Sequence, residues 1–200
     1  MNKSFKLINR LLLLSLLVIF VGGCTTTMSL QYAKPPAEMM NRGSIVVVVN
    51  DQRPPEEGGN EPMRVGTIRN TFGMPFALNA KSDRMPKKVI QELVSDCLVA
   101  AGYEISNNQS NVPILEVGLQ SFWGDGYQYN KIWSKLHLAL KKDGNSVPKW
   151  EQTVESTTGV VWTVGYGPFD DGINTMLEDL KKQILTTFKD PKFQSEFDLL

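Results

Sequence analysis

Three consecutive segments of two-residue alternation do most to limit what this chain can fold into. In the first, Leu115, Val117 and Leu119 alternate with Glu116, Gly118 and Gln120. In the second, Ile132, Ser134, Leu136, Leu138 and Leu140 alternate with Trp133, Lys135, His137, Ala139 and Lys141. In the third, Trp150, Gln152 and Val154 alternate with Lys149, Glu151, Thr153 and Glu155. Successive side chains on a strand point to opposite faces, so each segment offers one mainly apolar face and one mainly polar face. Three such strands in series predict a sheet covered on one side. Gly124-Asp125-Gly126 marks a turn between the first two, and Asp143-Gly144 marks a hairpin between the second and third.

Two helical stripes supply the cover. Val89, Ile90, Leu93, Val94, Cys97, Leu98 and Ala101 recur at spacings of three and four, with Pro86 in the first turn and Gly102 at the stop. Ile173, Met176, Leu177, Leu180, Ile184 and Phe188 form the second stripe. It is expected to start at a cap of Asp170-Asp171, to carry Glu178 and Lys182 as a solvent-side pair, and to end at Asp190-Pro191. Phe193 to Leu200 then reads as a mixed tail. Upstream, Ile45 to Val49 is a β-branched run suited to a strand covered on both faces. Val65 to Leu78 reads as irregular strand with turns, and Tyr103-Glu104-Ile105 as a short strand. The expected fold is an α+β domain, with two amphipathic helices on one face of a mainly antiparallel sheet.

The N-terminus belongs to a different kind of segment. Lys3, Lys6 and Arg10 precede an apolar run from Leu11 to Val21, and Gly22-Gly23-Cys24 follows. A basic start, an apolar middle and small residues before a boundary make a secretory signal peptide. The apolar run is 11 residues, short of the roughly 20 that a spanning helix needs. Val21-Gly22-Gly23-Cys24 resembles the lipobox of bacterial lipoproteins, although leucine is commoner where this chain has Val21. That resemblance implies cleavage before Cys24, a diacylglycerol on its sulfur, and an acyl chain such as palmitate on the new N-terminus. Two or more chains hold a protein stably at a membrane. Thr25 occupies the position where aspartate favours retention in the inner membrane of Gram-negative bacteria, so the resemblance implies the outer membrane, facing the periplasm. The expected organisation is a signal peptide at 1–23, a lipidated N-terminus and tether at 24–43, and one domain at 44–200. Fully extended, the tether would reach at most about 60 Å.

Without the signal, 177 of the 200 residues remain, enough for one domain with a core. The signal removes three of the 21 basic residues and none of the 21 acidic ones, leaving a formal charge of −3. No clustered basic surface for nucleic acid is expected.

The valine strand running into Asp51-Gln52-Arg53, the helix closing on Ala101-Gly102-Tyr103, the strand Ile114–Leu119 and the last helix together resemble the YajG-like family of bacterial lipoproteins. That resemblance implies an envelope location and lends no catalytic residues. The pattern also looks, more distantly, like auxiliary lipoproteins of envelope transport systems.

Little in the chain suggests catalysis. His137 is the one histidine and falls on the polar side of its strand, and no Gly-x-Ser-x-Gly elbow or phosphate loop is present. Cys97 falls on an apolar helix face, where a thiol acts as a small hydrophobe. Asp51 and Arg53 read as a local turn pair in preference to a partner-facing one. No enzyme activity, metal or cofactor is expected beyond the covalent lipid on Cys24. The aromatics are the functional hint. Trp123, Tyr127, Tyr129 and Trp133 surround one turn, and Trp162 sits in the Gly-rich stretch before the last helix. Packing is their ordinary use, and a contact surface for another envelope protein is the functional one. The expected function is a non-enzymatic, membrane-anchored binding or accessory module. The alternative is an auxiliary subunit of a lipid or solute transport system, with an apolar groove between sheet and helices.

Overall fold

The computed structural model describes residues 26–38, 40–69, 72–108, 112–126, 130–142, 147–161 and 167–200. Among these residues eight strands form one sheet: β1 Thr26–Met28, β2 Ser44–Asp51, β3 Arg64–Arg69, β4 Pro75–Ala80, β5 Glu104–Ile105, β6 Ile114–Gly126, β7 Asn130–Lys141 and β8 Trp150–Val161. Three α-helices among the same residues accompany it: α1 Pro86–Ala100, α2 Gly167–Lys189 and α3 Pro191–Asp198.

The expected one-sided packing holds for the strongly periodic elements. Every residue of the α1 stripe and of the α2 stripe is buried. They share one core cluster with Ile45, Val47 and Val49 of β2, Leu115, Val117 and Leu119 of β6, and Leu136, Leu138 and Leu140 of β7. On the opposite face of β2, Val46 is buried, Val48 part-exposed and Asn50 exposed, so this strand is covered on both faces only near its start.

The sheet is mixed, which corrects the expectation of a mainly antiparallel one. The pairs β6–β7, β7–β8 and β3–β4 are antiparallel. The pairs β1–β4, β2–β5, β2–β6 and β3–β6 are parallel. The cause is the crossover. Chain leaving β2 returns through α1 before β5 and β6, and a helical return lays the next strand in the same direction. One edge of β6 is therefore divided. β2 pairs with its first half, Ile114 to Leu119, and β3 with its end, Gly124 to Gly126.

Other expectations are corrected. Gly124-Asp125-Gly126 lies in β6 and is not a turn; the connection to β7 and the Asp143-Gly144 hairpin lie outside the described residues. Residues Val65 to Leu78 contain most of a β3–β4 hairpin. Helix α2 starts at Gly167, so Asp170 lies in its first turn and does not cap it. Glu178 pairs with Lys181, one residue before the expected Lys182.

The tail is helix α3. Asp190 caps it by accepting a hydrogen bond from the Lys192 amide at 2.7 Å, and Pro191 stands at its start. Phe193 and Phe197 close the core's end in edge-on contacts with Tyr103, with centroids 5.8 and 4.8 Å away.

The segment read as a tether is part of the domain from Thr26 onward. β1 adds to the sheet edge beside β4, and Leu30 is fully buried. The Gln31 amide donates to Asn174 at 2.9 Å, and Lys34 meets Asp96 at 2.6 Å. Glu178 accepts from the Ala33 amide, and Lys181 donates to the Ala33 carbonyl at 2.8 Å.

Candidate functional site

The aromatic hint resolves into a small layer on the sheet face away from the helices. It exists because β6 carries a bulge. The β6–β7 register shifts between Leu119 and Ser121, and one extra residue exchanges the two faces of a strand. Beyond the bulge Phe122 points into the core and Trp123 points out. Gly124 then faces Phe169, whose ring would lie 2.4 Å from a Cβ at that position. Trp123 stands directly opposite Trp133 of β7, and both are half-buried. Cross-strand aromatic pairs of this kind stabilise sheets by about 0.2–1 kcal/mol.

The loop after β2 lies over this pair. It starts where β2 leaves β6, and Arg53 holds it. The Arg53 side chain has no exposed surface. It donates to both carboxylate oxygens of Asp51, at 2.9 and 2.8 Å, and to the Arg64 carbonyl at 2.7 Å. Longer bonds reach the Glu57 and Gly58 carbonyls at 3.3 Å. Asp51 and Arg53 are thus a local pair that folds the loop around a buried fork. The loop is drawn in so tightly that a Cβ on Gly59 would lie 1.9 Å from the Arg53 carbonyl oxygen.

A short 3-10 turn, Pro55–Glu57, delivers Glu57 to the tryptophans. Its carboxylate accepts from Trp133 Nε1 at 3.1 Å and from the Ser121 hydroxyl. The Arg64 guanidinium stands 5.8 Å from the Trp123 ring centroid, and Lys131 Nζ stands 5.3 Å from that of Trp133. Cations over aromatic faces at these distances attract weakly when exposed. The patch therefore presents two indole surfaces, two cations and one carboxylate. It suits recognition of a surface carrying both apolar and charged groups.

Trp123 and Trp133, two of the aromatics expected around one turn, are cross-strand partners on β6 and β7. Tyr127, Tyr129 and Trp162 lie outside the described residues, as does Cys24. Glu57 carries no sequence signal of its place in this patch. The residue's link to Trp133 spans 76 positions, and no local pattern announces it.

The remaining reactive side chains sit apart. His137 lies on the outer sheet face, 3.9 Å from Glu151. Burial first, then the nearby Asp96 charge, pushes the Cys97 thiol up to about 12. Among the described residues no group of three or more His, Cys, Asp or Glu could hold a metal ion, and no helix is long and apolar enough to cross a membrane. Two surface hollows follow the N-terminal segment. One is lined by Lys34, Lys88, Gln91, Glu92, Ser95 and Asp96. The other lies between Gln31–Ala33 and the start of α2.

A solved structure of a Xanthomonas campestris protein of the DUF330 family is similar to this chain. It aligns over 86% of this chain and 98% of its own, with a TM-score of 0.60 at 10% identity. That likeness shows the fold alone. The PelC protein of Paraburkholderia phytofirmans, solved as a dodecamer, aligns over 78% of this chain and 96% of its own, with a TM-score of 0.44 at 12% identity. A minor lipoprotein from Acinetobacter baumannii aligns over 73% and 91%, with a TM-score of 0.38 at 12% identity. At those TM-scores the last two add nothing to the fold assignment. No family model matches the sequence, and no curated protein matches it.

Proposed function

We propose that this chain is a lipid-anchored lipoprotein of the bacterial cell envelope, related to the YajG-like family, held at the outer membrane and facing the periplasm. It acts as a non-enzymatic binding or accessory module for another envelope protein. The observation that carries the proposal is the N-terminal sequence: a basic start, an 11-residue apolar run, then Gly22-Gly23-Cys24 directly before a domain that begins at Thr26. The half-buried Trp123–Trp133 pair, with Arg64, Lys131 and Glu57 around it, is the contact patch best suited to a partner.

A role as auxiliary subunit of a transport system would call for an apolar groove between sheet and helices. The two hollows along the N-terminal segment lie against α1 and α2, and neither has a residue of the sheet in its lining. The binding-module role is therefore preferred.

The test has two arms in intact cells. Cys24→Ser in the full chain should leave the membrane fraction with an altered mass, and continued pelleting with an unshifted mass would refute the anchor. A photo-crosslinking residue at Trp133 should give one discrete adduct, while the same residue at exposed Val147 should not. Equal patterns at the two positions would refute the patch.

A further inference from the structure

The end of the sheet nearest the anchor is set by two facts. β1 begins at Thr26, two residues after Cys24. Two residues span at most roughly 7 Å, so a lipid on Cys24 holds the start of β1 close to the headgroups. β1 also runs parallel to β4, with Thr26 opposite Leu78. It therefore enters the sheet from the end where β3 turns into β4, and Leu78 is only about 10 Å along β4 from Pro75.

That turn carries exposed apolar side chains. Phe72 is 86% exposed and Met74 is 54% exposed. Gly73 between them holds φ at 79°, a conformation that favours glycine. Single exposed apolar residues are ordinary on any protein surface. Three features set these two apart. They stand within three residues of each other. They lie at the end from which β1 enters. The surrounding sequence is neutral: residues 70–80 and 25–33 contain no charged side chain. Arg69, just before the turn, is paired with Asp125 of β6. The apolar tip at Phe72 and Met74 can meet the acyl boundary while the nearest charges, the part-exposed Arg69–Asp125 pair and Lys131 opposite Asp125, stay among the headgroups.

We infer that the β3–β4 turn is a second membrane contact, in which Phe72 and Met74 enter the interfacial region of the phospholipid leaflet that holds the Cys24 lipid. The inference rests on the anchor proposed above. The lipid supplies the attachment. The turn supplies orientation, because two separated contacts restrict rotation that a single tether leaves free. The sheet then stands with its β3–β4 end toward the bilayer and its β7–β8 connection, which holds Val147, away from it.

The experiment uses the full mature chain purified with its lipid and reconstituted into vesicles of phosphatidylethanolamine and phosphatidylglycerol. Phe72→Cys and Val147→Cys are each spin-labelled in separate samples. Cys97 is fully buried and does not compete for the label. Accessibility to oxygen, which concentrates in lipid, is compared with accessibility to a water-soluble nickel chelate. The expected ratio is several-fold higher at position 72 than at position 147, which is 72% exposed at the far end. Equal, water-like ratios in a protein whose mass includes the lipid would overturn the inference and leave the anchor standing. A mass without lipid would overturn the anchor and this inference with it.

Discussion

Replacing Arg53 with methionine tests the device that holds the loop over the tryptophans. The substitution keeps much of the side-chain volume and deletes the charge and the donor fork. Asp51 then loses its partner, with only 18% of its side chain exposed to take up water. The Arg64 carbonyl loses a 2.7 Å bond. Breaking a buried pair by removing one member costs about 3–5 kcal/mol, and the partial hydration of Asp51 favours the lower figure, about 3 kcal/mol. For a domain of this size each kcal/mol shifts Tm by roughly 2–4 °C, so a fall of about 6–12 °C is expected. Urea unfolding followed by tryptophan emission is a suitable assay, because Trp123 and Trp133 lie beneath the loop. Arg53→Lys should retain most of the loss, since an ammonium cannot bridge both Asp51 oxygens and the loop carbonyls. Asp51→Asn combined with Arg53→Met should cost less than the sum of the single changes. A loss below about 1 kcal/mol for Arg53→Met, against the range for a broken buried pair, would refute the account of Arg53 as the organiser of this loop.

Two further outcomes follow from the same contacts. Glu57→Ala removes the acceptor of Trp133 Nε1 and of the Ser121 hydroxyl. It should cost about 1.5–3 kcal/mol per charged hydrogen bond at most and change Trp133 emission, and an unchanged spectrum would count against the contact. Glu178 gives a pH dependence. Burial opposes its ionisation, but hydrogen bonds from Lys181 and the Ala33 amide, with the charges of Lys181 and Lys182, lower its pKa below the usual 4.5. A lowered folded pKa means that its contribution is complete above 4.5 and is lost as pH falls through the folded value. The Ala33 amide resonance should therefore titrate with a midpoint below 4.5 and stay flat in Glu178→Gln; a midpoint at or above 4.5 would contradict the sign.

The legible parts of this fold are those whose period runs unbroken. Val89 to Ala101, Ile173 to Phe188 and Ile132 to Leu140 each keep one repeat from end to end, and each packs as its repeat requires. The second half of β6 was hidden because the bulge after Leu119 reverses inside and outside. Alternation carried past it assigns Trp123 and Phe122 to the wrong faces. Parallel pairing of β2 and β6 depends on a crossover some sixty residues long, which no local pattern records. Helix α3 was legible but misread. Asp190-Pro191 stops one helix and starts the next, and Asp190 capping Pro191–Asp198 is the start signal. β1 was hidden in a threonine-rich stretch that carries no periodicity. At the patch, Trp123 and Trp133 were visible by composition. Glu57, Arg53 and Arg64 acquire their places only when the loop closes.

The proposed function stands or falls on whether Cys24 carries the lipid and the mature chain begins there. The most direct measurement is the intact mass of the protein extracted from cell membranes, with fragmentation of its N-terminal peptide. The expected product is a chain starting at Cys24, heavier than its sequence by a diacylglycerol and an acyl chain. A chain that retains residues 1–23, or one that starts elsewhere with an unmodified Cys24, would contradict it.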